Sequence, residues 1–190
     1  LAINLFQSIW DHQGFAFNYM KVQSLIKDVN GIITGLHATD VETGKEFSFL
    51  TKAVVNATGV FADQILLMDN PQQQKTIRAS QGIHLVLPRS FYPSDKALLI
   101  PKTSDGRVLF IVPWHQKVLV GTTDTPVDSI SLEPVALAQE INFILNSLSE
   151  YLINKPEQKD VLSVFAGLRP LAANQYGNQN DTTICFGQNL

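Results

Sequence analysis

The sequence predicts an α+β chain in which a three-stranded β-meander precedes a mainly antiparallel sheet covered by helices. Three observations predict it. Two tight-turn signals, Asn30-Gly31 and Glu42-Thr43-Gly44-Lys45, divide strand-length segments near the N-terminus. Beyond residue 82, four apolar runs are separated by turn residues. A later stretch carries apolar residues at three- and four-residue spacing, the stripe of a helix that covers a sheet.

Leu1, Leu5 and Ile9, with Ala2, Phe6 and Trp10 beside them, share one face of a helix ending near Gly14. Residues 15–26 read as the first strand, and residues 32–40 and 46–50 as the two antiparallel strands that complete the meander. Residues 52–56 form a short buried strand that breaks at Ala57-Thr58-Gly59, residues 60–68 a short helix, and residues 71–75 a polar linker. The runs at 82–88, 97–100, 107–113 and 117–121 make the sheet, with Ser104-Asp105-Gly106 as a turn. Ser131 is the expected N-cap of the covering helix, Pro134 lies in its first turn, and Leu137, Ile141, Ile144, Leu145, Leu148 and Leu152 form its apolar face. Residues 161–165 supply a last strand, after which Gly167-Leu168-Arg169-Pro170 is expected to turn the chain into a polar tail.

Composition excludes several classes. With 190 residues, 45% of them hydrophobic and 16% charged, the chain can bury a substantial core. A net charge of −3 with scattered Lys and Arg argues against nucleic acid as a partner. The single cysteine, Cys185, forms no internal disulfide, and no Cys/His cluster has zinc-ligand spacing, so a metal-free site in a reducing, cytoplasmic compartment is expected. The longest apolar run, residues 108–113, is far short of the ~20 residues that cross a bilayer. The start at Leu1, already in helical periodicity, reads as a piece of a longer protein.

Four segments could carry chemistry. Val54-Val55-Asn56-Ala57-Thr58-Gly59 is a strand end with small residues before a helix, where backbone can approach a ligand and N–H groups can meet an anion. Arg78-Ala79-Ser80-Gln81-Gly82-Ile83-His84-Leu85-Val86 places a histidine two residues after a glycine in an alternating strand. Phe110-Ile111-Val112-Pro113-Trp114 and Gly121-Thr122-Thr123-Asp124-Thr125 read as strands and a loop whose Thr and Asp side chains cap their own backbone. Phe165-Ala166-Gly167-Leu168-Arg169-Pro170-Leu171 fixes an arginine between stiff backbone residues, suited to bidentate capture of phosphate or carboxylate.

Together these motifs resemble the D-amino-acid-oxidase superfamily of FAD-dependent oxidoreductases, most of all its glycerol-3-phosphate dehydrogenases. The meander returning to Ala57-Thr58-Gly59 is similar to the second half of a two-dinucleotide-fold FAD domain. The run at Gln81-Gly82-Ile83-His84 resembles the family's "KGxHxV", with Gln81 replacing the commoner lysine, while "VPW", "GTTD" and "GxRPL" match as they stand. The resemblance covers residues 1–172. It implies a partial FAD-binding domain over residues 1–75, a substrate domain of antiparallel sheet over 76–175, and a polar tail over 176–190. The family's "GxGxxG" fingerprint is absent, so the fragment by itself is expected to hold no FAD.

For the whole protein, the resemblance implies oxidation of glycerol 3-phosphate to dihydroxyacetone phosphate, with electrons passed to a quinone. His84 and Arg169 become the catalytic pair and the substrate contacts, with Lys102 as a further substrate contact and Arg107 as a weaker candidate. Val22, Ala57, Thr58, Gly59 and Thr123 fall where the family binds its cofactor. Partners would be the missing segments of the same protein and, as in family members, the inner face of the cytoplasmic membrane as a peripheral contact. Alternatives are an amino-acid or 2-hydroxy-acid oxidase of the same superfamily, or a non-catalytic binding module.

Overall fold

Left-handed glycines close both hairpins of the N-terminal meander, Gly31 at φ 81° and Gly44 at φ 72°, a conformation open to glycine without steric cost. In the computed structural model, which describes residues 1–103 and 105–173, these turns join β1 (Met20–Lys27), β2 (Ile33–Asp40) and β3 (Glu46–Leu50) in the order β1-β2-β3. Strand β1 begins five residues later than its apolar run suggests. Tyr19 has a positive φ of 57°, which no strand accommodates, and its carbonyl accepts the N–H of Val41. Helix α1 (Ala2–Asp11) precedes the meander and has no buried residue. These elements belong to one unit, Leu1–Ala57 with Gln64–Gln73, which takes in most of the short helix α2 (Ala62–Asp69).

Among the described residues, 52–56 form no strand. No described strand pairs with them, Val55 is 86% exposed, and Thr51 Oγ1 instead donates to the carbonyl of Ala53 at 2.9 Å. A β-segment without a ladder leaves its backbone groups to water, so the hydrophobic pattern alone cannot make one.

The second unit comprises Thr58–Asp63 and the described residues from Gln74 onward. Its six-stranded sheet runs β5 (Leu98–Ile100), β6 (Leu109–Trp114), β7 (Lys117–Gly121), β4 (Ile77–Pro88), β8 (Thr125–Pro126), with β9 (Ser163–Ala172) also paired to β4; every pairing is antiparallel. Strand β4 starts five residues earlier than predicted, because Arg78, Ser80 and Gln81 interrupt the apolar alternation while β8 and β9 pair their backbone. Strand β9 runs straight through Gly167-Leu168-Arg169-Pro170, where a turn was expected. Its one described partner is β4, and an edge strand tolerates the N–H that proline lacks.

Helix α3 (Ala138–Tyr151) covers one face of this sheet. Its N-cap is Leu137, whose N–H donates to Glu140 Oε2 at 3.0 Å. Ser131 does not cap it: the Ser131 hydroxyl accepts the N–H of Glu133, closing a local turn six residues earlier. Beneath α3, Ile83, Leu85 and Leu87 of β4 meet Ile144 and Leu148, all at most 1% exposed. Leu148→Ala is therefore expected to cost about 2–5 kcal/mol, seen as a lower thermal unfolding midpoint of the full-length protein. Because strand side chains alternate, the even-numbered residues of β4 point to the opposite face.

Residues 174–190, including the expected tail and Cys185, lie outside the described residues.

Candidate active site

The register sets the second face. Directly opposed residues in antiparallel strands share a face, so Phe110, Gly121, His84 and Phe165 form one row across β6, β7, β4 and β9. Two steps along β4, Gly82 faces Gly167, and two further steps on, Ser80 faces Arg169. His84 and Arg169 thus project from the same side of the sheet, away from α3.

Glycines make room for both. A Cβ on Gly121 would collide with the imidazole of His84, and one on Gly82 would fall 2.7 Å from Cζ of Arg169. The His84 ring lies over Gly121 on one side and stacks on Phe165, with centroids 5.1 Å apart and planes within 9°. Burial, and secondly the positive charge of Arg169, hold the pKa of His84 below its ordinary value near 6.5. The imidazole is consequently neutral at pH 7 and able to accept a proton.

Arg169 is held by one loop. Its Nη2 donates to Thr122 Oγ1 at 2.9 Å, its Nη1 donates to the carbonyl of Thr123 at 3.1 Å, and Nη1 lies 3.5 Å from Asp124 Oδ1. The Asp124 carboxylate also accepts the Ser80 hydroxyl. The Thr and Asp side chains of this loop, expected to cap their own backbone, do so at Thr122, whose hydroxyl donates to the carbonyl of Thr123 at 3.3 Å, whereas those of Thr123 and Asp124 reach other elements of the fold. Thr123, 1% exposed, accepts the N–H of Ile83 and donates to Glu140 Oε1, so its side chain supports the loop from the α3 side.

Two open clefts of about 310 Å³ each meet at Thr122. One is lined by His84, Phe110, Val112, Trp114, Leu119 and Gly121, and is mainly apolar. The other is lined by Arg169, Arg107, Asp124 and Thr123, with Val108 and Leu171. A molecule spanning both would meet a neutral imidazole at one end and a fixed cation at the other.

Other candidates sit elsewhere. The carbonyl of Lys102 accepts the Tyr151 hydroxyl at 2.9 Å, and its side chain lines neither cleft. Arg107 does line one, but its guanidinium is engaged by Asp105, by the carbonyl of Asp124 at 2.8 Å, and by the ring of Phe143. Val22 opposes Ala38 in the meander, immediately before a shift of register. Ala57 is exposed, Thr58 precedes the 3-10 turn Gly59–Phe61, and Gly59 has φ +59° with no atom within 4 Å of where a Cβ would stand. Asp63, two residues beyond that turn, accepts the N–H groups of Thr76 and Ile77 and the Thr76 hydroxyl, tying it to the start of β4. Burial raises the Asp63 pKa, but these hydrogen bonds outweigh it and leave the carboxyl below its usual range.

Sequence reasoning named Thr122, Asp124 and Phe165 only as members of candidate segments, without a role in seating His84 or Arg169, and did not name Glu140. Glu140 had a signal: it stands three residues after Leu137 and four before Ile144, on the buried stripe of α3.

An apolar cleft thus lies beside a histidine and a seated arginine on one face of the sheet. The chain belongs to the FAD-dependent oxidoreductase family called DAO, whose model matches residues 1–187. It is similar to mitochondrial glycerol-3-phosphate dehydrogenases, among them that of Schizosaccharomyces pombe, 41% identical over 170 residues, covering 85% of this chain and 26% of the relative. The human one is 41% identical over 161 residues, covering 81% and 22%. The glycerol-3-phosphate dehydrogenase from Bacillus halodurans, complexed with FAD, superimposes with a TM-score of 0.83 at 33% identity, covering 90% of this chain and 34% of that one. The chain spans about a quarter of the length of the curated relatives it matches. Those relatives are named mitochondrial, away from the cytoplasmic compartment that cysteine usage suggested. Among the described residues, no helix is long and apolar enough to cross a membrane.

Proposed function

We propose that the whole protein oxidises sn-glycerol 3-phosphate to dihydroxyacetone phosphate, using FAD and passing electrons to a quinone. The observation that carries this reading is the placement of His84 and Arg169 on one sheet face, in clefts that meet at Thr122. A proton acceptor and a fixed cation on one face suit a small substrate that carries both a hydroxyl and an anion.

The residues present fit the cofactor. The His84 cleft has apolar walls and an open side, as a flat ring system needs, and Gly59 offers approachable left-handed backbone. Within the second unit, Thr58 and Gly59 would meet the dinucleotide, while Thr123 would contribute through the loop it anchors. When bound, FAD supplies the two-electron acceptor for hydride from the substrate carbon.

The chain's own residues do the rest. Arg169 binds and orients the phosphate with its remaining N–H donors, fixing which carbon faces the apolar cleft. His84 takes the hydroxyl proton on an unprotonated ring nitrogen, which its lowered pKa keeps available. Phe165 and Gly121 hold the ring plane, so the acceptor nitrogen needs no reorganisation.

The test is a comparison of substrates in the full-length protein. Turnover of sn-glycerol 3-phosphate is expected, with little for glycerate, in which a carboxylate replaces the phosphate-bearing end. Preference for glycerate would instead favour a 2-hydroxy-acid oxidase, and turnover of neither would favour a binding module.

A further inference from the structure

We propose that Glu140, on the far side of the sheet from both clefts, is a positioning residue that sets where the Arg169 guanidinium stands; this rests on Arg169 being the anion clamp. Among the described residues, the three groups that hold Arg169 lie in the stretch Thr122–Asp124. That stretch is short and polar, and it crosses from β7 to β8. Its own backbone ladder does not fix it.

Glu140 fixes it from behind. The carboxylate is 2% exposed and accepts four hydrogen bonds: Thr123 Oγ1 at 2.8 Å, Thr125 Oγ1 at 2.9 Å, Gln81 Nε2 at 2.7 Å and the Leu137 N–H at 3.0 Å. Two of these donors bracket Asp124 in the arginine-holding loop. A third, Gln81, is the immediate neighbour of Gly82, over which the guanidinium lies. Thr123 Oγ1 also accepts the N–H of Ile83, the residue between Gly82 and His84. One anion therefore gathers both flanks of the arginine seat, and carries that order to the strand that bears His84.

A structural role alone would not need this arrangement. A buried carboxylate whose only duty is to cap α3 would spend its lone pairs on the helix N-terminus. Here one bond goes to the helix and three go elsewhere, to Thr123 in the loop that accepts from Arg169, to Thr125 at the start of β8 just past that loop, and to Gln81 of β4. Removing charge at this point leaves the donors facing a group that cannot accept them all, and the loop carbonyl of Thr123 is free to rotate away from the guanidinium.

The test is a double-mutant cycle in the full-length protein with Glu140→Gln, which keeps volume but loses one acceptor oxygen, and Arg169→Ala. We expect Glu140→Gln to raise the KM for sn-glycerol 3-phosphate about 10-fold with kcat changed far less, and to raise it no further once Arg169 is alanine. Multiplying effects, or a lower unfolding midpoint with an unchanged KM, would overturn the inference and leave the clamp assignment standing. An Arg169→Ala variant with unchanged KM would instead remove the reading on which it rests. If Glu140→Gln does not accumulate as folded protein, Thr125→Val takes its place, since it deletes the donor to the same carboxylate at the first residue past the loop; a KM effect that persists without Arg169 counts against the inference in the same way.

Discussion

Arg169→Ala in the full-length protein is expected to raise the KM for sn-glycerol 3-phosphate by roughly 30-fold or more, the factor that corresponds to about 2 kcal/mol or above for truncating one partner of a held charge pair. The side chain is fixed before substrate arrives by Thr122, Thr123 and Asp124, so little conformational entropy is lost on binding. Its loss also leaves the Asp124 carboxylate facing the incoming anion, which repels it. Arg169→Lys should recover only part of the affinity, because an ammonium cannot meet the Thr123 carbonyl, the Thr122 hydroxyl and a phosphate in one plane. Steady-state KM measured beside the unfolding midpoint checks this; an unaltered KM in a folded variant would remove Arg169 from the substrate.

His84→Ala is expected to lower kcat by about 10²–10⁴, with a smaller change in KM. The pH dependence carries a sign of its own. Burial and the charge of Arg169 lower the His84 pKa, so the free protein keeps a neutral imidazole to below pH 6.5, and kcat/KM should fall only on the acid side, below that value. A bound phosphate brings negative charge to the cleft and neutralises Arg169, which moves the pKa upward in the complex. The acid limb of kcat should therefore lie at higher pH than that of kcat/KM, and both limbs should vanish in the alanine variant. A wild-type profile with no acid limb would deny His84 the role of proton acceptor.

Much of the fold was legible because it rests on local rules. The hairpins at Gly31 and Gly44 need left-handed residues, and the chain supplies glycine at both. The stripe of α3 and the alternation of Ile83, Leu85 and Leu87 announce a helix lying on a sheet. Misreadings arose where a distant partner decides. Residues 52–56 have a strand's composition and no described ladder, whereas the polar start of β4 and the Gly-Leu-Arg-Pro run of β9 are strands because each pairs with the other.

The site divides in the same way. Sequence by itself supplied the candidate groups, a histidine two residues from a glycine and an arginine locked between glycine and proline, together with the family to which the chain belongs. Only the tertiary structure decided that these groups, 85 residues apart by their numbering, share a face, that Thr122–Asp124 seats the arginine, and that Glu140 holds that seat from the opposite side. The physical reason is that side-chain type and local spacing are properties of the chain, whereas strand register and the charge felt by an imidazole depend on which segments the fold brings alongside.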